Sequence, residues 1–425
     1  MIRAYASAIR EFSSNARLYL ATSLLVGFGS GLLYLFFNLY VLSLGYDQAF
    51  VGLLASLPAL VTAAAAVPAG LLLPRLGFRR ALTIGLAISA MAQVAWVLYP
   101  SRPILVVAAI VSGLGTVLLS IVSSPLLVTV SNERTRTHLF GVQFALNTFA
   151  TVVASFLGGH LTQYLGVGSG GTSAGYRGVL LVAMAVTLAA FLPIARLRGM
   201  APAAAAQRPA RGHWRPYRPL LAKLLAVQLI ASLGAGMTMP FLNVFFHLRF
   251  HVSDALLGSM FALSSLLMGF AGILAPWAAG KLGKVRAIVL SQALSIPFLL
   301  AMGLAPVFGA SAGSFLVRTA LMNMSAPLFA AYSMGIVPTH VRPLAASLLM
   351  LAWNGGWAIS AWISGRVQVA AGFTPLFLIT ATLYSASIVM TYVIFRNVEE
   401  STEAEHAAAQ LREESRKSSR TAAPG

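Results

Sequence analysis

Long apolar runs, each about 20 residues or more, alternate along this chain with short polar breaks. The runs fall at 18–44, 50–73, 81–99, 103–130, 139–165 and 177–195, then at 220–247, 255–279, 285–307, 312–338, 344–371 and 373–395. A helix of about 20 residues crosses a hydrocarbon layer roughly 30 Å thick, and in lipid only helices and closed barrels satisfy their backbone polar groups. The pattern therefore predicts twelve transmembrane helices. The division between the last two rests on "AAGFTP" as a turn.

Composition agrees with the pattern. The chain has 425 residues, 58% hydrophobic and 9% charged, where a soluble domain carries roughly a quarter of its residues as charges. Its first run is too long for the roughly 7 to 15 residues of a signal-peptide core, so it reads as a retained span. There is no cysteine, which excludes disulfides, thiolate metal sites and cysteine nucleophiles.

Charge position tests the count independently, because Lys and Arg gather in cytoplasmic loops. With both termini cytoplasmic, the outer side keeps only Arg102, Arg177, Arg249 and Arg366, Arg318 lies within a span, and the other 24 of the 29 basic residues fall inside. The net charge of +19 is then a topology signal rather than a nucleic-acid footprint. Residues 196–219, rich in Pro, Ala and Arg, read as a cytoplasmic linker, and 396–425 as a polar cytoplasmic tail. This places one six-helix unit at 1–195 and another at 220–395.

The two units repeat. At a spacing near 206, "GSGLLYLFFN" (29–38) meets "GAGMTMPFLN" (234–243), Gly52 meets Gly258, and "RLGFRR" (75–80) meets "KLGKVR" (281–286). "NTFATVVASFLG" from Asn147 likewise meets "NGGWAISAWISG" from Asn354. Such symmetry characterises secondary transporters, in which solute binds near the midplane between two halves.

On these features, across about 18–395, the chain resembles the major facilitator superfamily. Gly70, Arg75, Gly77, Arg79 and Arg80 match that family's loop signature between the second and third helices, although Pro74 stands where the family usually has Asp. The resemblance implies an all-α membrane protein with twelve transmembrane helices in two pseudo-symmetric six-helix bundles. It also implies a loop Asp that helps latch the outward-facing state, a device put in doubt here by Pro74 and its counterpart Gly280. Arg75, Gly77, Arg79 and Arg80, with Lys281, Gly283 and Arg286 in the second loop, are the candidate gate at the inner mouth. Retention of the loops on the cytoplasmic side explains the basic residues equally well.

All ten acidic residues lie outside the predicted spans: Glu11, Asp47, Glu133, Asp254 and six in the tail. An intramembrane carboxylate, a common proton carrier, is thus missing. Asp47 and Asp254 precede the second and eighth helices and are expected to cap them. His160 and His247 are the alternative proton carriers. Arg318, six residues into the predicted tenth helix, is either an anion-binding or gating residue or a side chain that snorkels to the outer interface or caps backbone carbonyls. The resemblance places the first, fourth, seventh and tenth helices around the cavity, which favours function.

Tyr34 and Asn38 share a helix face. They join Asn147, Asn243, Asn323 and Asn354 as candidate solute contacts, each Asn being equally able to tie helices together. Trp353 and Trp357 fall mid-span, away from the interfaces where membrane Trp gathers. With Asn354 and Tyr332 they are candidates for an aromatic wall.

"GTSAG" (171–175) and "GASAG" (309–313) match a hydrolase elbow in letters only, since neither follows a strand. Lys281 lacks the Ser or Thr of a phosphate loop. No enzyme, cofactor or metal site is expected. The reading is a monomeric inner-membrane secondary transporter acting by alternating access, with efflux of a lipophilic or anionic compound preferred. Nutrient uptake, or a transporter-like receptor or scaffold that binds without transport, is the alternative.

Overall fold

The computed structural model describes residues 11–168, 172–198, 214–338 and 340–396. Most of the linker and nearly all of the tail lie outside these, as does Gly171 of the "GTSAG" string. The described residues are helical throughout, without a strand.

Twelve long helices follow the predicted spans. They are α1 (Ser14–Ser43), α2 (Gln48–Leu76), α3 (Phe78–Leu98), α4 (Arg102–Val130), α5 (Glu133–Gly168) and α6 (Ser173–Ala195). The second half comprises α7 (Arg215–Phe250), α8 (Asp254–Leu282), α9 (Lys284–Leu304), α10 (Phe308–Ile336), α11 (Arg342–Ala371) and α12 (Thr374–Arg396). Eleven are long and apolar enough to cross a membrane. The exception is α10, which carries Arg318 and Asn323.

Local chemistry sets the breaks. Asp47 accepts a hydrogen bond from the Phe50 amide and caps α2 as expected. Asp254 does not cap α8: Ser253 does, accepting from the Leu256 amide, and Asp254 stands one residue inside the helix. Gly77 and Gly283, the repeated glycines of the two basic loops, have φ of 73° and 81° and each joins two helices directly. Only glycine adopts that backbone without strain. Gly372 makes the α11–α12 turn at φ 73°.

Helix α7 is broken. Its α-helical part ends at Thr238, a 3₁₀ turn covers Met239–Phe241, and helix resumes at Leu242–Phe250. Pro240 lacks the amide that would continue the ladder, so carbonyls around it are left without intrahelical donors.

Helices of each half pack chiefly with one another: α1 on α5 and α6, α2 and α3 on α4, then α7 on α11, and α8 and α9 on α10. Contacts between halves run mainly along α2–α11 and α5–α8. The apolar core follows the same division. At the ends bearing the α2–α3 and α8–α9 loops, here the basic face, each half has its own main core, Phe12, Phe78, Leu126 and Ile194 in one and Leu224, Ile288, Leu328 and Phe395 in the other, with a small further cluster at Ala69, Val117 and Leu118 in the first half. At the opposite, far face, one continuous core joins both halves, with Phe36, Tyr40 and Tyr176 beside Phe241, Phe245 and Phe377.

Two glycine seams draw the halves together near the far face. A Cβ on Gly52 would sit 2.7 Å from the Ala361 carbonyl oxygen and 3.0 Å from the Gly365 Cα, and one on Gly258 would lie 2.9 Å from the Gly159 Cα. Missing side chains let the backbones approach closely. Gly365 thus plays the role of Gly159, one residue beyond the Gly158 that the sequence repeat pairs with it; Gly158 instead fits against Leu32 and Phe36 of α1.

Candidate functional site

A cavity of about 650 Å³ lies within the helices. All of its lining residues but Pro240 and Trp357 come from the first half. Helix α1 contributes most, from Tyr19 through Ser23, Ser30 and Tyr34 to Asn38; α2 adds Pro58, α3 adds Gln93 and Trp96, and α5 adds Gln143 and Asn147. Along α4, Ser112, Thr116 and Ser120 recur every four residues and so stand on one face. Among the described residues, the lining contains no charged side chain.

Cross-half hydrogen bonds border the cavity on its far side. Asn38 donates to the Pro240 carbonyl (2.6 Å), and its repeat partner Asn243 donates to the Leu35 carbonyl (2.6 Å). The Tyr34 hydroxyl lies 3.5 Å from the Met239 carbonyl. The break at Pro240 supplies two of these acceptors, and α1 side chains occupy them. Nearer the far face, Tyr176 of α6 donates to Asp254 of α8 (2.8 Å), with His247 of α7 3.8 Å from the same carboxylate oxygen.

A family model described as Major Facilitator Superfamily matches residues 19–317 and 224–422. The chain belongs to the major facilitator superfamily. Secondary transport across a membrane follows from that membership, as does a multi-pass membrane protein. The fold is similar to that of a solved nucleoside transporter, NupG, at 14% identity and a TM-score of 0.71, covering 90% of this chain and 100% of that one. It is also similar to a D-xylose-proton symporter, at 13% identity and 0.72, covering 89% and 97%. A bacterial homologue of the human lysosomal transporter Spinster, in an inward-facing and occupied conformation, matches at 16% identity and 0.66, covering 88% and 93%. No curated protein matches by sequence.

In this superfamily member, four sequence candidates line the cavity: Tyr34, Asn38, Asn147 and Trp357. Asn147 also accepts from Ser23 (3.0 Å). The others lie elsewhere. Asn243 is buried in the cross-half contact. Asn323 and Asn354 donate to carbonyls one turn back on their own helices, Thr319 and Met350, at 2.9 Å each. Trp353 packs 6.2 Å from Trp357 without reaching the cavity wall. Tyr332 sits in the basic-face core, its hydroxyl on the Phe395 carbonyl (3.2 Å), so the aromatic wall drawn from the sequence does not assemble around it.

Arg318 is deeper than the sequence suggested. Because α10 starts at Phe308, Arg318 lies ten residues in, about 15 Å along the axis. It does not snorkel: only 2% of it is exposed, and its guanidinium meets Met239 Sδ at 3.2 Å and the Tyr384 hydroxyl at 3.4 Å. It is not among the residues that line the cavity.

At the basic face, Arg75, Arg79 and Arg80 are exposed, and among the described residues no carboxylate pairs with them. Pro74, in the position of the usual Asp, lies inside α2, two residues before its last residue Leu76. Lys281 lies over the Trp277 ring, 4.6 Å from its centre. A Cβ on Gly70 or Gly280 would meet nothing within 4 Å.

The sequence reading missed Gln93, Gln143 and the α4 hydroxyls. Their signal was present: polar residues four apart inside an apolar run mark a wet helix face.

Proposed function

We propose that the chain is an inner-membrane secondary transporter, both termini cytoplasmic, in which two pseudo-symmetric six-helix bundles alternately open the 650 Å³ cavity to either side. One observation carries the reading: the apolar core is shared between halves at the far face and divided in two at the basic face. That asymmetry is expected of a cavity sealed from outside and approached from the cytoplasm. The basic loops with Gly77 and Gly283 are then the elements that must come together when the opening reverses.

The proposed solute is neutral. An ion in an uncharged wall would keep its desolvation penalty uncompensated. The similarly folded nucleoside transporter and D-xylose-proton symporter agree with this class. The anion role foreseen for Arg318 finds no support in the lining, and with it goes the ground for preferring efflux of an anion. A monomer suffices, since the cavity is complete within one chain.

Solute flux in liposomes carrying the pure protein tests the proposal, and loading solute on either side fixes the direction. Saturable binding without flux would replace transport by a receptor role.

A further inference from the structure

Most polar groups on the cavity wall already donate their protons to the protein. Ser112 donates to the Ala109 carbonyl (2.8 Å), Thr116 to that of Ser112 (2.9 Å) and Ser120 to that of Val117 (2.9 Å). A hydroxyl bonded back to its own helix has no proton left for a ligand but keeps acceptor capacity on oxygen. The same holds beyond α4. Asn38 directs one N–H of its amide to Pro240 (2.6 Å), and Gln143 directs its amide nitrogen toward Tyr19 (3.3 Å) and Ser123 (3.1 Å), leaving each amide its oxygen. The donors that remain on the wall are few, chiefly the amides of Gln93 and Asn147 and the second N–H of Asn38, and none of these lies on α4. Even the Trp96 ring N–H is occupied, by the Leu105 carbonyl (3.3 Å).

From this inventory we infer that the cavity selects a neutral solute presenting several O–H or N–H donors, such as a polyhydroxylated or amino-substituted ring, over acceptor-only molecules of the same shape. The inference rests on the cavity being the solute site. Three hydroxyl oxygens on α4, at about 6 Å intervals along the axis, offer a ladder of acceptors to one edge of the solute. Trp96, Phe37 and Trp357, also on the wall, cover its apolar faces. Each donor that enters finds an acceptor. An ether or carbonyl oxygen in the same place meets another lone pair, loses its water and gains nothing.

The test uses pairs of neutral probes on the pure full-length protein: phenyl β-D-glucopyranoside and a purine nucleoside, each beside its fully methylated counterpart. Thermal-shift titration reads binding, since ligands of the native state raise its stability. At least one parent is expected to bind, and its methylated counterpart at least tenfold more weakly. Thr116→Val and Ser112→Ala, both conservative in volume, are expected to weaken the parent about fivefold each while leaving the unliganded melting temperature unchanged. Methylated probes that bind as well as their parents, or a panel in which no parent binds, overturn the inference. So does parent binding indifferent to both substitutions. Flux separates this from the transport reading: a parent that binds selectively but is not carried leaves the selectivity standing and removes transport.

Discussion

Asn38 and Asn243 hold one position in two repeats and use it in one way, each donating across to a backbone carbonyl of the other half. Removing either amide loses a hydrogen bond between the halves, worth about 0.5–1.5 kcal/mol, from the far-closed conformation alone. Asn38→Ala and Asn243→Ala should therefore shift the population toward far-face opening. The natural chain has no cysteine, so a single Ser30→Cys reporter on the cavity wall reads this directly: labelling from the far side should rise several-fold in either variant. Unchanged labelling would mean that these bonds do not hold the closure. Asp254→Asn probes a neighbouring contact. It keeps an acceptor for the Tyr176 hydroxyl but removes the charge facing His247, and a smaller rise in labelling than for Tyr176→Phe is expected.

Among elements, the glycine seams make the sharper prediction. Leu at Gly258 would drive a side chain into the backbone of α5, where Ser155 and Gly159 already touch it, so Gly258→Leu should prevent far-face closure and abolish flux. Gly272→Leu, about four turns further along α8, where a Cβ meets nothing within 4 Å, should leave flux near the natural level. Comparable loss in both variants would point to general misfolding instead. These elements also show what the sequence disclosed. Hydrophobic length located every helix, because lipid admits no other way to satisfy the backbone, and the repeat correctly paired Gly52 with Gly258. Pairing across halves was hidden, since a repeat shows which residues are equivalent and not which of them touch. The break in α7 at Pro240 was likewise hidden within an apolar run. For the site, four of ten candidates reach the cavity. Asn323 and Asn354 miss it because an amide buried in a helix can satisfy itself one turn back, and the residues that do line the wall include Ser and Thr too ordinary to stand out singly.

Across the whole molecule, basic charge and core division point to the same side. Among the described residues, the basic side chains outside the far loops, Arg318 apart, gather where the two half-cores are separate, which the positive-inside rule assigns to the cytoplasm. A reporter enzyme inserted at Gly45, a far-face turn with φ of 87°, should be active only in an exported form, and one fused after Gly425 only in a cytoplasmic form. The reverse result would invert the proposed orientation and place the open face outside. The cavity itself is lopsided: its polar wall belongs to the first half, and the second contributes only Pro240 and Trp357. A molecule gripped in this way is a passenger of one bundle. On the proposed mechanism it need not be handed from one set of partners to another as the protein turns over, and the departing half would act as a door whose swing, rather than any exchange of contacts, sets the moment of release.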